Sequence, residues 1–355
     1  MKKILNLISI TLFSLCISCE EKIQSSSEFA LINVDKNYSF KELILQNFMD
    51  VEYILLETNA DFLCEGFVQD VGKKYIIVKN FKHTGDIFIF DRQGRAVKKF
   101  NRRGQGGEEY VLLLEVVLDE KRSELFVNDW GRKIVVYDLD GNYKRSFKAK
   151  ENAKYRMMRN FNEDYLICYD DLIPDVETEP KQAMLLVSKQ DGQYQEIKMP
   201  FEKKRVTTVL TPRDKKGMVY GAWAQTDYPF VPYQKQWILM EPSCDTLYVL
   251  SKELQKKPLI IRNPSIQTMD PEKFLFLSIV TDRYYFMEIV TKTYNFGTKE
   301  GFPRINLVYD RQVNETHRSI VYNGDYTIKE DVQMNYIPLN QVESRYCFLS
   351  YHSGS

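Results

Sequence analysis

A chain of 355 residues with 49 basic and 49 acidic side chains carries no net charge, so it lacks the basic excess that nucleic-acid phosphates require and nucleic acid is set aside as a partner. Its 23 Tyr and 21 Phe, set among alternating Val and Ile, favour strands, and the length suffices for a large core. The three histidines, His83, His317 and His352, lie far apart in sequence and no H-E-x-x-H occurs, so neither a metal nor another cofactor is expected.

The chain opens on Met1-Lys2-Lys3, followed by an apolar run from Ile4 to Ile17 and then Ser18-Cys19. A basic start, a short apolar stretch and a small residue before a cleavage point make residues 1–18 a secretory signal, too short to span a membrane. Cys16-Ile17-Ser18-Cys19 is similar to a loose bacterial lipobox, with Cys16 where such boxes carry Leu. Cleavage before Cys19 would leave that cysteine as the acylated anchor, the alternative being ordinary secretion. Residues 19–28 then form a linker, whose Glu20-Glu21-Lys22 either resembles the acidic export tag of Bacteroidetes surface lipoproteins or is simply solvated. Cys64, Cys168, Cys244 and Cys347 lack the C-x-x-C spacing of a metal or redox site and sit among apolar neighbours, as buried free thiols do.

Residues 74–104 and 124–149 repeat one pattern: an apolar strand, a loop, a second strand ending in aromatic-Asp, a turn with Gly, and a third strand ending in Phe. Asp91 matches Asp138, Gly94 matches Gly141 and Phe100 matches Phe147, all at one offset. A recurrence of this length made only of strands is the signature of propeller blades, in which no sheet can bury both faces alone and neighbours must stack. Asp91 and Asp138 are turn residues, each placing a side-chain acceptor before a residue that tolerates positive φ.

Weaker copies follow. Residues 165–197 give YLICYDD, AMLLVSKQDG and YQEI; residues 218–261 give MVYGAWAQ, a long loop, DTLYVLSKE and PLIIR; a fifth unit spans YYFMEIV at 284–290 to RSIVY. A sixth is assembled from both ends, with VQMNYIPL (332–339) and YCFLSYH (346–352) as inner strands and FALINVD (29–35) and VEYILLET (51–58) as outer ones. Residues 38–50 bridge those outer strands through a short helical turn. The expected fold is all-β, a six-bladed β-propeller over residues 29–355 with its last blade closed by N- and C-terminal strands, which leaves no open edge.

With VEYILLET, RRGQGGEEY at 102–110 and LFVNDWGRKIVVYDLDG in place, the chain resembles the 6-bladed β-propeller lipoproteins of Bacteroidetes, distantly similar to NHL-repeat propellers. The resemblance covers nearly the whole chain. It implies a propeller fold and an outer-membrane location in the cell envelope, with little chemistry, because fold does not fix function.

Gly104-Gln105-Gly106-Gly107 lacks the Gly-Lys-Ser/Thr ending of a phosphate cradle and is read as a blade-linking turn, and there is no G-x-S-x-G elbow. Asp129, Asp170 and Asp171 follow second strands; they either face the ring axis, where paired carboxylates could serve a lyase or glycoside hydrolase, or cap turns. The segment QTDYPFVPYQKQWILMEPS is read as the longest loop of one face, stiffened by Pro229 and Pro232. Its Tyr228, Phe230, Tyr233 and Trp237, with Trp130, Arg132, Trp223 and Phe296 near the same face, form a candidate binding surface or else plug the ring. Flat aromatic faces on a stiff backbone suit a glycan, a peptide or a partner envelope protein. The expected function is non-catalytic binding, with the membrane reached through lipidated Cys19.

Overall fold

A computed structural model describes residues 29–80, 84–130, 132–150, 153–170, 182–201, 206–224, 228–334, 338–340 and 345–346. The export and anchoring readings, including Cys19, lie outside the described residues, as do Asp171 and His83. The chain begins with β1 (Ala30–Asn33) and β2 (Phe40–Ile44), followed by a single 3-10 turn at Leu45–Asn47 where a short helical turn was expected. The first sheet then runs β3 (Gly66–Val71), β4 (Tyr75–Asn80), β5 (Asp86–Asp91), β6 (Ala96–Asn101). The second runs β7 (Leu113–Asp119), β8 (Glu124–Asp129), β9 (Lys133–Asp138), β10 (Tyr143–Lys148), and the third β11 (Tyr155–Asn160), β12 (Tyr165–Asp170), β13 (Met184–Ser188), β14 (Tyr194–Glu196). A short pair, β15 (Val209–Leu210) and β16 (Ala222–Trp223), precedes the fourth sheet, β17 (Phe230–Tyr233), β18 (Gln236–Leu239), β19 (Thr246–Leu250), β20 (Lys256–Asn263). The fifth sheet holds β21 (Lys273–Val280) and β22 (Tyr284–Thr291), then, after a second short pair, β23 (Tyr294–Asn295) and β24 (Glu300–Gly301), β25 (Arg304–Asp310) and β26 (Glu315–Tyr322). A last hairpin joins β27 (Pro338–Asn340) and β28 (Arg345–Tyr346), with β27 beside β3.

The five sheets are antiparallel meanders built from one chemistry. Each third strand ends in a side-chain acceptor that receives the N–H groups of the turn that follows. Asp91 takes Gln93 and Arg95, Asp138 takes Asp140 and Asn142, and Asp310 takes Gln312; Ser188 and Ser251 do the same with their hydroxyls. The turn then needs one left-handed residue, supplied by Gly94, Gly141, Gly192, Leu254 and Asn314, all at φ between 56° and 82°. Asp91 and Asp138 therefore occupy equivalent places, as the offset required.

Second strands end in another shared device. Asn80 accepts from the Glu65 N–H, Asp129 from Val111 and Leu112, and Asp170 from Lys154. In each case the acceptor pins the segment leading into its own sheet's first strand, whose N–H groups have no ladder partner.

Alternation along the strands buries both faces of each sheet. On the second sheet, Leu125, Val127 and Val135 pack with Ile77, Ile87 and Ile89 of the first, whereas Phe126, Ile134 and Val136 pack with Leu166, Cys168 and Leu185 of the third. The third meets the fourth through Ile167, Leu186 and Leu239, and the fourth meets the fifth through Ile238, Ile260 and Leu277. Each fully buried side chain of this size contributes ~1.5–3 kcal/mol. Where first strands stand side by side without a ladder, side chains reach across: Asp70 accepts from Leu118 N–H at 2.8 Å and Glu115 from Met158 N–H at 2.6 Å. Phe100 and Phe147, at the ends of fourth strands, lie over Gly141 and Gly192 of the next sheet, where a Cβ would come within 2.6 and 2.5 Å of the ring carbons. Sheets stacked through both faces with their first strands together have the arrangement of β-propeller blades.

The N-terminal strands depart from expectation. β1 adds to the fourth sheet, parallel to β20, and β2 adds to the fifth, parallel to β26, so neither pairs with C-terminal strands in a shared last sheet. Residues 51–58 form no strand. They cross instead from the free face of the fifth sheet, where Phe48, Met49 and Val51 pack with Tyr284 and Phe286, to that of the first, where Ile54, Leu56 and Phe62 pack with Phe88 and Phe90. The Leu55 carbonyl takes the place over Gly94 that Phe100 takes over Gly141. Apolar alternation reports which faces a segment buries but not which edge it joins, and this is why the sequence assigned these residues to the wrong pairing.

Candidate functional site

Tyr233 and Trp237 are core residues, 8% and 2% exposed: Tyr233 packs between the fourth and fifth sheets, and Trp237 meets the fully buried Phe230 on the side of the third. The expected long loop is in fact the two inner strands of the fourth sheet, β17 and β18, joined by the two-residue turn Gln234-Lys235 with φ of 47° and 61°. Left-handed values at both central residues are what a tight hairpin demands, and Asn or Gly normally supplies them. Pro232 sits on β17, the inner edge strand, where its missing N–H costs no ladder bond. Tyr233 and Trp237 therefore leave the candidate surface, as does Tyr228, half-buried against the same core. Trp130 is 42% exposed under Lys154, whose Nζ lies 5.1 Å from the ring centre, and Arg132 is exposed beside it.

The segment MVYGAWAQ is not an inner strand of the fourth sheet. It returns along a two-stranded ribbon whose pairing keeps one register over its length: Thr208 with Ala224, Val209 with Trp223, Leu210 with Ala222, Pro212 with Tyr220, Arg213 with Val219 and Asp214 with Met218. The turn at Lys215–Gly217 closes on Gly217 at φ 82°. Exposure alternates with the pleat. Leu210, Pro212, Asp214, Tyr220 and Ala222 are sheltered, while Val209, Arg213, Val219 and Trp223 are exposed, Trp223 at 65%.

The sheltered row packs on the second short pair. Ala222 touches Gly301 of β24, and the Tyr220 ring meets those of Tyr294 and Phe296 at 5.7 and 6.0 Å. Tyr220 donates its hydroxyl to Asp214 Oδ2 at 3.1 Å, which raises the phenol pKa. Asp214 also accepts from the Met218 and Lys216 N–H groups, and these bonds hold its carboxyl below the usual carboxylate range. The two hairpins pack together beside the fifth sheet, with the half-exposed ring of Phe296 on one side and Trp223 on the other. Sequence reasoning named Trp223 and Phe296 but missed Tyr220 and Tyr294. The Asp214-Lys215-Lys216-Gly217 turn, of the same Asp-x-x-Gly type as those at Asp91 and Asp138, was the signal that could have found the ribbon and hence Tyr220.

Asp129 and Asp170 accept from the backbone N–H groups of the segments entering β7 and β11. Among the described residues no group of three His, Cys, Asp or Glu is placed to hold a metal ion, and no helix is long and apolar enough to cross a membrane. Cys64, Cys168 and Cys244 are free thiols, and burial raises the pKa of each.

No curated protein matches the sequence. Among solved structures, the chain is similar to a candidate exported protein of Bacteroides fragilis, with 12% identity, TM-score 0.55, and coverage of 81% of this chain and 79% of that one. It also matches BamB of Moraxella catarrhalis (8% identity, 70% and 73% covered, TM-score 0.40) and the Cps50 (Swd1) β-propeller domain of Myceliophteria thermophila (11% identity, 74% and 90% covered, TM-score 0.35). At these identities the likeness concerns the fold alone. The family profile described as "Domain of unknown function (DUF4934)" matches residues 29–353, nearly the whole described chain, and the protein belongs to that family.

Proposed function

We propose that this chain is an exported, lipid-anchored β-propeller of six blades that acts without catalysis, binding a glycan, a peptide or a partner envelope protein through its two short hairpins. The observation that carries the reading is the ribbon's exposed row. Among the described residues most rings are packed between sheets, yet Trp223, Val209 and Val219 on the ribbon's outer row are 49–65% exposed, and Phe296 of the adjoining hairpin is 47% exposed. Apolar side chains gathered together mark an interaction site more often than scattered ones do.

Six blades are supported by the sixth position itself, lying between the free faces of the first and fifth sheets. Residues 48–64 cover both faces there and β27 lies beside β3. Export is supported by the signal pattern ending at Cys19 and by the likeness to a protein described as exported. The engagement of Asp129 and Asp170 with backbone N–H groups weighs against the lyase or glycoside hydrolase reading.

The test is a thermal-shift screen of the full chain against glycan and peptide panels, since a ligand that binds only the folded state raises its melting temperature. Trp223→Ala and Phe296→Ala should leave the unliganded melting temperature within a few degrees and weaken the identified ligand at least tenfold. Unchanged affinity in both variants refutes the reading.

A further inference from the structure

We infer that the outer row and tip of the Thr208–Ala224 ribbon rest on a lipid bilayer that carries anionic headgroups. The inference deepens, and rests on, the reading of this ribbon as a binding element.

The ribbon separates charge within a chain that has none overall. Between residues 206 and 224 there are three cations, Arg213, Lys215 and Lys216, and one carboxylate, Asp214. The pleat puts Arg213 on the outer row and Asp214 on the sheltered row, where its oxygens are taken by two N–H groups and the Tyr220 hydroxyl. What remains outside is cationic at the tip and apolar along the shaft. Val219 on the outer row is 49% exposed, Met218 opposite Asp214 at the tip is 60% exposed, and the Val209–Trp223 pair stands further back.

Three features favour a bilayer over a protein groove. Lysine is depleted at the cores of protein interfaces, because burying an ammonium there costs its hydration, whereas at a membrane surface long lysine stems lie along apolar chains with the charge among phosphates. Tryptophan prefers the headgroup level, where its ring is apolar and its N–H stays wet. Among the described residues the ribbon is a two-stranded sheet that no third strand joins. It can lie in the interfacial layer and cannot enter the hydrocarbon. At ~3.3 Å per residue the ribbon spans about 25 Å, with Leu210 and Ala222 packed against Phe274 and Phe276 at its base and the cations at its tip.

Each cation near an anionic surface is worth about a fivefold gain in partitioning, so three give a preference on the order of 100-fold. The experiment is co-sedimentation of the full chain carrying Cys19→Ser, which removes any acyl contribution, with phosphatidylcholine vesicles with or without phosphatidylglycerol. At 0.1 M salt the chain should favour the anionic vesicles at least tenfold, and should lose that preference at 1 M salt. The double variant Lys215→Glu and Lys216→Glu should lose it at unchanged melting temperature, and Trp223→Ala should weaken binding to both vesicle types. Equal partitioning to the two vesicle types, or a lysine variant that sediments like the parent, overturns the inference. If vesicles are ignored while Trp223→Ala still weakens a glycan or peptide found by thermal shift, the bilayer is wrong and the ribbon reading stands. If neither responds, both fail.

Discussion

Gly141→Ala isolates the contact that locks one sheet to the next. The residue sits at φ 82°, and an added Cβ would lie 2.6 Å from Phe100 Cγ and 2.8 Å from Cδ2, too close for any heavy atom. Left-handed strain for alanine costs ~1–2 kcal/mol, partly offset by the ~0.5–1 kcal/mol gained in restricting the unfolded chain. Phe100 is 9% exposed, and pushing its ring out of the packing between the first two sheets forfeits up to ~3 kcal/mol. The total is ~3–4 kcal/mol. Gly217 provides the control, since it has the same φ of 82° and nothing within 4 Å of its would-be Cβ, so Gly217→Ala should cost only about 1 kcal/mol. Equilibrium urea unfolding of the full chain measures both. In a Phe100→Ala background the cost of Gly141→Ala should fall to that of the control, a coupling of ~2 kcal/mol between the two sites. Equal costs for the two glycine variants, or strict additivity with Phe100→Ala, refute the claim that the fourth-strand ring is seated on its neighbour's turn.

Tyr233→Ala and Trp237→Ala should each destabilise by ~3–5 kcal/mol, because both empty space in the core of the fourth sheet; urea midpoints close to the parent's would return these residues to the surface. Lys235→Gly relieves a left-handed lysine at φ 61° and should stabilise by ~0.5–1 kcal/mol in the same assay. Burial pushes the Asp70 carboxyl up to about 7, which makes its protonated form the favoured one in the folded chain. Its contribution is then full below the unfolded value near 4 and lost as pH rises through about 7. The stability of Asp70→Asn relative to the parent should therefore improve between pH 4 and pH 8, by at most ~4 kcal/mol, and a flat difference would refute the assignment. Glu124 runs the other way: despite its burial, Arg145 and Lys144 hold it at about 2, so the stability it contributes at neutral pH is lost as pH falls from about 4.5 toward 2. Glu124→Gln should flatten the acid limb of the unfolding profile.

The first two sheets were legible because their turns use residue types with a mechanism, Asp as acceptor and Gly for positive φ, at a fixed spacing. Where other residues take those places, the signal fades. Leu254 and Asn314 fill the left-handed position in the fourth and fifth sheets, and Ser251 stands in for Asp. The inner hairpin of the fourth sheet was read as a loop because its turn is Gln-Lys and its edge strand carries Pro232. The ribbon's return strand reads like an inner strand because MVYGAWAQ is a nearly continuous apolar run, and such a run cannot say whether the partner is a sheet or a single neighbouring strand. Of the aromatic surface, Trp130, Trp223 and Phe296 are exposed as expected, and Tyr233 and Trp237 are buried for the same reason that hid the hairpin.

The pairing of β1 with β20 and of β2 with β26 ties the first described strands to partners some 230 and 280 residues further along the chain. Such separations carry a high loop-closure cost and belong to slow folding. On a chain made from its N-terminus, these strands have no partner until the fourth and fifth sheets exist. The order of assembly is thereby written into the topology: strands made early wait for partners made late.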